Sequence, residues 1–252
     1  MRILKYTTIF GAIAISLLLT LTSCGGKYQK IDGKIYWTYH TFSFGKVSEP
    51  LDADTLTFVD LDHNYGKDKN HAFYQDSMMT GVHVPTFESI KDDYAKDCKH
   101  AFYTVDMIKG ADVNTFKVKN THVSKDDHDY YWKSTPFHVY DMDKFKIFYV
   151  YDDEADWARD SKYGYYINPD NSVVKFPIAD YKEFEPITYK DSDGIKLTSC
   201  DYATDGVHIY YCGKIVRGVD LETFKVLAFH WGQDKKTYYY MGAPTDSIPD
   251  LK

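Results

Sequence analysis

The residues that could carry chemistry fall into a few groups. Carboxylates crowd at Asp126-Asp127-His128-Asp129 and at Asp152-Asp153-Glu154. A calcium ion takes about six to eight oxygens that converge on it. Neither run has the Asp-x-Asp-x-Asp-Gly spacing of a dedicated loop, so both read as solvated loops. Histidines are numerous, but the chain holds no His-Glu-x-x-His and no Cys-x-x-Cys, the spacings that place zinc ligands on one face. It also has no Gly-x-Ser-x-Gly to expose a nucleophile on a strained turn. No metal, cofactor or catalytic residue is therefore expected.

The cysteines are more informative. Arg2 and Lys5 open a positive start, Ile9 to Leu21 is an apolar run, and Leu21-Thr22-Ser23-Cys24-Gly25 follows. This has the form of a bacterial lipobox, in which the Cys24 thiol accepts a diacylglyceryl group and the freed amine an acyl chain. The apolar run is short for a membrane span of about 20 residues and sits in the signal-peptide position. Several acyl chains give stable attachment. Residues 1–23 read as a lipoprotein signal peptide and 24–30 as a polar tether. No acidic run follows Cys24, which favours an anchored, periplasm-facing protein of the cell envelope. A hairpin turning on Gly206 would set Cys200 and Cys212 opposite each other, about 4.5–5.5 Å apart at Cα. That lies within disulfide range, and the envelope is oxidising. A Cys200–Cys212 disulfide is expected, with two buried thiols as the competing reading. Cys98, in the Asp97-Cys98-Lys99 turn, would be the odd thiol.

These residues are positioned by a repeat. Tyr65-Gly66-Lys67-Asp68-Lys69-Asn70-His71-Ala72-Phe73-Tyr74 is echoed 29 positions on by Tyr94-Ala95-Lys96-Asp97-Cys98-Lys99-His100-Ala101-Phe102-Tyr103. Gly81 answers to Gly110 and Thr86-Phe87 to Thr115-Phe116 at the same offset, which marks a tandem repeat. A third copy starts at Val123, a fourth at Trp157 with about ten inserted residues, a fifth at Tyr202 and a sixth at Trp231, which then stops. A divergent opening copy lies at Asp32-Gly33-Lys34-Ile35-Tyr36-Trp37 with Phe58.

The consensus Tyr-Ala-Lys-Asp-Lys-Asn-x-x-Tyr-Tyr followed by Gly-Ala-Asp-x-x-Thr-Phe resembles the DKNYY family of bacterial repeat proteins. Asp68-Lys69-Asn70 with Phe73-Tyr74 matches best. Cys98-Lys99, Asp127-His128 and Gly206-Val207 depart from its Lys-Asn pair. The resemblance covers nearly the whole chain after the first thirty residues. It implies a repeat protein of unknown function and brings no catalytic residues.

The 24 Tyr and 15 Phe suit a pleated, half-buried surface, and no long stretch has helical periodicity. The chain reads as all-β: tandem antiparallel β-hairpin repeats of about 29 residues, each with two or three strands of about five residues. Asp112 would cap a single helical turn through Asn114 or Thr115. Phe116 would then drop between copies. The recurring Asp68, Asp97, Asp126, Asp160, Asp205 and Asp234 would bond their own backbone two residues on. Residues 31–252 form one repeat domain, an open twisted array sharing a continuous core, with a propeller-like closed ring as the alternative.

A net charge of −7 argues against nucleic acid and anionic membrane surfaces as partners. The resulting expectation is a non-enzymatic envelope lipoprotein, held to the membrane by lipid on Cys24, whose array binds an envelope protein or cell-wall glycan. The competing expectation is an envelope hydrolase with its site in the non-repetitive segment 152–191, the one place where the array is asymmetric.

Overall fold

The computed structural model describes residues 25–151, 154–191 and 193–247. Cys24 lies outside the described residues, as do Asp152 and Asp153. The described chain is all β. Seven separate antiparallel sheets follow one another in sequence, the first with three strands and the other six with four. Within each sheet the strands are neighbours in chain order and no sheet closes on itself. The one described helical piece is a 3-10 turn at Val84–Thr86.

The strand count differs from the two or three expected. The second sheet, for example, consists of Val59–Asp60, Tyr65–Lys67, Ala72–Tyr74 and Ser77–Met78. Strands this short persist because their turns are tied by side chains and their faces are covered by the next copy. The structural unit is also out of phase with the sequence unit. Each sheet after the first begins with the strand just after a corner Phe, so the last repeat, which seemed to stop, is a complete sheet of Lys225–Ala228, Trp231–Gln233, Tyr238–Tyr240 and Ala243–Thr245. The residues inserted in the fourth copy mostly lengthen strands, giving Lys146–Tyr151 and Glu154–Arg159, rather than forming loops alone.

The chain divides into two compact units, 1–89 and 90–252. In the first, Ile35, Trp37, Leu51 and Phe73 make a core with Tyr28 and Phe58 that joins the first two sheets. In the second, each core cluster is shared by consecutive sheets. Tyr94 and Phe116 pack with Tyr131, Trp132 and Phe137 with Tyr165, Trp157 and Phe184 with Tyr210, and Tyr202 and Val216 with Tyr239. A single unit cannot bury its own face, so stability accumulates between neighbours.

The corners behave as the sequence requires. The Thr115 amide bonds the Asp112 carbonyl at 3.2 Å and Asp112 Oδ1 accepts the Asn114 amide at 3.0 Å. Phe116 then lies 6.1 Å from Tyr94 and 6.2 Å from Tyr131. Phe224 sits likewise between Tyr202 and Tyr239, at 5.5 and 5.9 Å. The room for these rings comes from small residues in the facing strand. A Cβ on Gly232 would come within 2.5 Å of the Phe224 ring, and one on Gly66 within 2.5 Å of Phe58.

Candidate functional site: a polar row and a pocket in the second unit

The repeated aspartates hold the turn between the two middle strands of each sheet from the second to the last. Asp205 Oδ1 accepts the amides of Val207 and His208 at 3.0 and 2.7 Å. Its Oδ2 accepts the Ala179 amide and the Tyr210 hydroxyl, each at 2.6 Å. Asp126, Asp160 and Asp234 repeat this pattern with Tyr131, Tyr165 and Tyr239. Their second oxygen reaches back to the amides of Asp112, Tyr140 and Asp220 in the preceding corner. The backbone bond two residues on was legible in the sequence; the tie to the previous corner and the buried tyrosine hydroxyl were not. Burial pushes the Asp205 and Asp234 carboxyls up, but the amide and hydroxyl donors outweigh it and hold both at about 2. Burial pushes Tyr210 above the usual phenol range. In the two copies with Phe at the tyrosine position, His71 and His100 lie 3.7 and 3.5 Å from the turn carboxylates of Asp68 and Asp97, as His208 lies 3.3 Å from Asp205 beside Tyr210.

The run Asp126-Asp127-His128-Asp129 is not a solvated loop. Asp126 and Asp129 are buried, and Asp129 accepts the amides of Tyr130, His138 and Val139 at 2.8–2.9 Å. In this copy the acidic residues serve the turn and the adjoining strand, leaving only Asp127 in solvent.

The cysteine geometry also differs from expectation. The observed register is Tyr202↔Tyr211, Ala203↔Tyr210 and Thr204↔Ile209. The loop has four residues, Asp205 to His208, so its centre falls between Gly206 and Val207. That shift sets Asp201, not Cys200, against Cys212, whose amide bonds the Asp201 carbonyl at 2.8 Å. Cys200 and Cys212 are free thiols. Cys200 donates to Asp201 Oδ1 at 2.8 Å. Burial pushes both thiols up, away from the thiolate form that reacts. Cys98 is exposed.

A second set of repeat-equivalent residues stands just before the matched strands. Asp93, His122, Asp156, Asp201 and His230 each precede the first residue of the matched strand, namely Tyr94, Val123, Trp157, Tyr202 and Trp231. Four of them close the same turn at the end of their sheet. The amides of Thr104, Lys133, Cys212 and Met241 bond the carbonyls of Asp93, His122, Asp201 and His230 at 2.6–2.9 Å. The same position in the preceding copy is Asn64, whose carbonyl accepts the Gln75 amide at 2.8 Å, so the signal available in sequence was a position that stays Asn, Asp or His from Asn64 to His230.

Two members of this row are joined. Asp201 Oδ2 accepts the His230 backbone amide at 2.8 Å and lies 2.6 Å from its ring Nδ1. A carboxylate only accepts, so Nδ1 donates. The Tyr211 hydroxyl lies 2.8 Å from the same Nδ1.

His122 and Asp156 instead line a cavity of about 280 Å³ with Trp132, Lys133, Ile167, Asn168, Pro169 and Asn171. It opens because the fifth sheet turns through Asn168–Ser172, where the sixth and seventh use the two-residue turns Cys212-Gly213 and Met241-Gly242. The longer turn is tied by Asn168 to Ser172 at 2.9 Å and by Asp170 Oδ1, which accepts the Ser172 amide and hydroxyl. Asn171 Oδ1 accepts Trp132 Nε1 at 3.2 Å, fastening the turn to the fourth sheet. The His122 and Trp132 rings are 5.3 Å apart. An imidazole, an ammonium, a carboxylate and two amides thus face one concave space, an arrangement that fixes a polar ligand by several hydrogen bonds. Five of its eight lining residues come from segment 152–191. Asp160 of that segment is committed to its turn.

No curated protein matches the chain, and no solved structure does. The DKNYY family matches over residues 14–106, 78–135 and 105–243, a span that contains the repeated turn aspartates, the corner phenylalanines and the polar row. The chain belongs to the DKNYY family.

Proposed function

We propose that this protein is a lipid-anchored repeat scaffold of the bacterial envelope that binds a cell-wall glycan in the pocket between His122 and Asp156. The pocket itself carries the reading: about 280 Å³, lined by donors and acceptors of both charges, with an indole edge at its wall. Sugars offer dense hydroxyls and small apolar faces, which such a lining matches. The anchor reading rests on Leu21-Thr22-Ser23-Cys24, and mass spectrometry of the membrane-extracted protein tests it: acyl chains on an N-terminal Cys24 are expected.

Calorimetric titration of the full chain with soluble cell-wall fragments tests the pocket. Each hydrogen bond to a charged group is worth about 1.5–3 kcal/mol, so His122→Ala and Asp156→Asn should each weaken binding about tenfold or more. Equal binding by both variants overturns the reading. A hydrolytic version of the same pocket draws on the presence of an imidazole and a carboxylate in one lining. Release of cleaved fragments by the wild type, lost in Asp156→Asn, would establish it.

A further inference from the structure

The first sheet carries a feature that the repeat does not need. Its second and third strands, Lys34–Thr41 and Gly45–Pro50, pair out to Thr41↔Gly45, and Phe42-Ser43-Phe44 is the loop between them. Phe42 is 99 % exposed and Phe44 83 %. The loop is nevertheless built: Thr41 Oγ1 accepts the Phe44 amide at 3.0 Å and Gly45 takes a φ of +67°, as a three-residue hairpin with a left-handed glycine requires. Two phenyl rings are thus held out in water at the end of a stiff ribbon.

The same end of the sheet receives the chain from its N-terminal segment. The first strand starts at Lys27, opposite Thr38, and runs away from the tip to Ile31, opposite Lys34. Gly25 and Gly26 therefore precede it at the tip end. Cys24 is three residues before Lys27, a reach of about 10 Å. The strands at this end carry exposed lysines, with one exposed carboxylate, Asp76, beside Trp37 and Tyr39. Exposed Lys27 stands there, as does Lys46 opposite His40. No Asp or Glu occurs from 33 to 48, although the chain as a whole is acidic.

We infer that the Phe42-Ser43-Phe44 hairpin is a membrane-inserting fingertip that dips into the leaflet holding the Cys24 lipid, with Lys27 and Lys46 on anionic headgroups. The lipid and the fingertip make two attachments at one end of the sheet, which fixes the orientation of the first unit as a single tether cannot. Phe rings bury at the boundary between headgroups and acyl chains as Trp and Leu do, and basic residues near an anionic surface add attraction. The inference rests on the anchor reading of Cys24 and is independent of the glycan pocket.

The test uses the full acylated chain in vesicles of phosphatidylcholine and phosphatidylglycerol. Phe42→Trp and Leu56→Trp each add a reporter at an exposed site, read as a difference from the wild type. Leu56 lies near Thr55, whose carbonyl accepts Lys30 Nζ, towards the opposite end of the sheet. The F42W emission should shift to the blue and be quenched by lipids brominated near the glycerol backbone, while L56W should do neither. A chain that floats with vesicles but shows unquenched F42W overturns the fingertip and leaves the anchor standing. A chain that does not float overturns both. A blue shift that appears only on adding envelope protein, without lipid quenching, assigns the tip to a protein partner and overturns the membrane reading.

Discussion

At the scale of single residues, the turn aspartate is the most constrained group in the repeat. Asp205 accepts four hydrogen bonds and is fully buried. Asparagine keeps one oxygen for the turn but points an amino group at the Ala179 amide or the Tyr210 hydroxyl. Leaving such buried donors unmatched costs about 1–3 kcal/mol each, so Asp205→Asn should destabilise by about 3 kcal/mol in urea titration. Tyr210→Phe removes one bond while keeping the ring, and should cost about 1 kcal/mol. The small residue beneath each corner Phe is the other fixed point. Gly232→Val would drive a side chain into the Phe224 ring, already 2.5 Å from a Cβ there. Overpacking of this kind costs about 1–3 kcal/mol, read as a lower melting temperature with the same native fold.

At the scale of elements, two-residue turns set the ends of the short hairpins. Met241 and Gly242 both have left-handed φ, +51° and +74°, the geometry in which Asn-Gly is preferred. Met241 is exposed, so little packing is lost on replacing it. Met241→Asn should stabilise by about 0.5–1 kcal/mol, by relief of the backbone cost that non-glycine residues other than Asn and Asp meet there. A melt that does not rise would show that the turn is not limiting. The fifth sheet shows the converse: lengthening one turn to Asn168–Ser172 leaves the strands paired and forms one wall of the cavity lined by His122 and Asp156.

At the scale of the whole molecule, stability depends on carboxylates that must stay charged. Asp68, Asp126 and Asp160 are held below the ordinary range, and Asp205 and Asp234 at about 2, by amide and hydroxyl donors that outweigh burial. The unfolded chain has ordinary carboxyls near about 3.9. A depressed folded value means the stabilisation is present above that pH and is lost as pH falls towards 2. Thermal melts should be flat from neutral pH to about 4.5 and drop steeply between about 4 and 2, with the Asp205→Asn variant less steep than the wild type. Equal slopes would remove the turn carboxylates as the cause.

The amino-acid sequence by itself determined the all-β character, the period, the backbone bond of each turn Asp and the packing of the corner Phe residues between copies. Those features depend on residues a few positions apart and on a spacing repeated along the chain, which sets neighbouring copies side by side. Only the tertiary structure decided the register at Asp205–His208, where a loop of four residues moves every facing pair by one and sets Asp201 against Cys212. It also decided the tie from each turn carboxylate to the previous corner, the meeting of Asp201 with His230, and the pocket between His122 and Asp156. These depend on which copies lie side by side and on where each turn is centred, and a one-residue change in a turn alters both without changing the repeat.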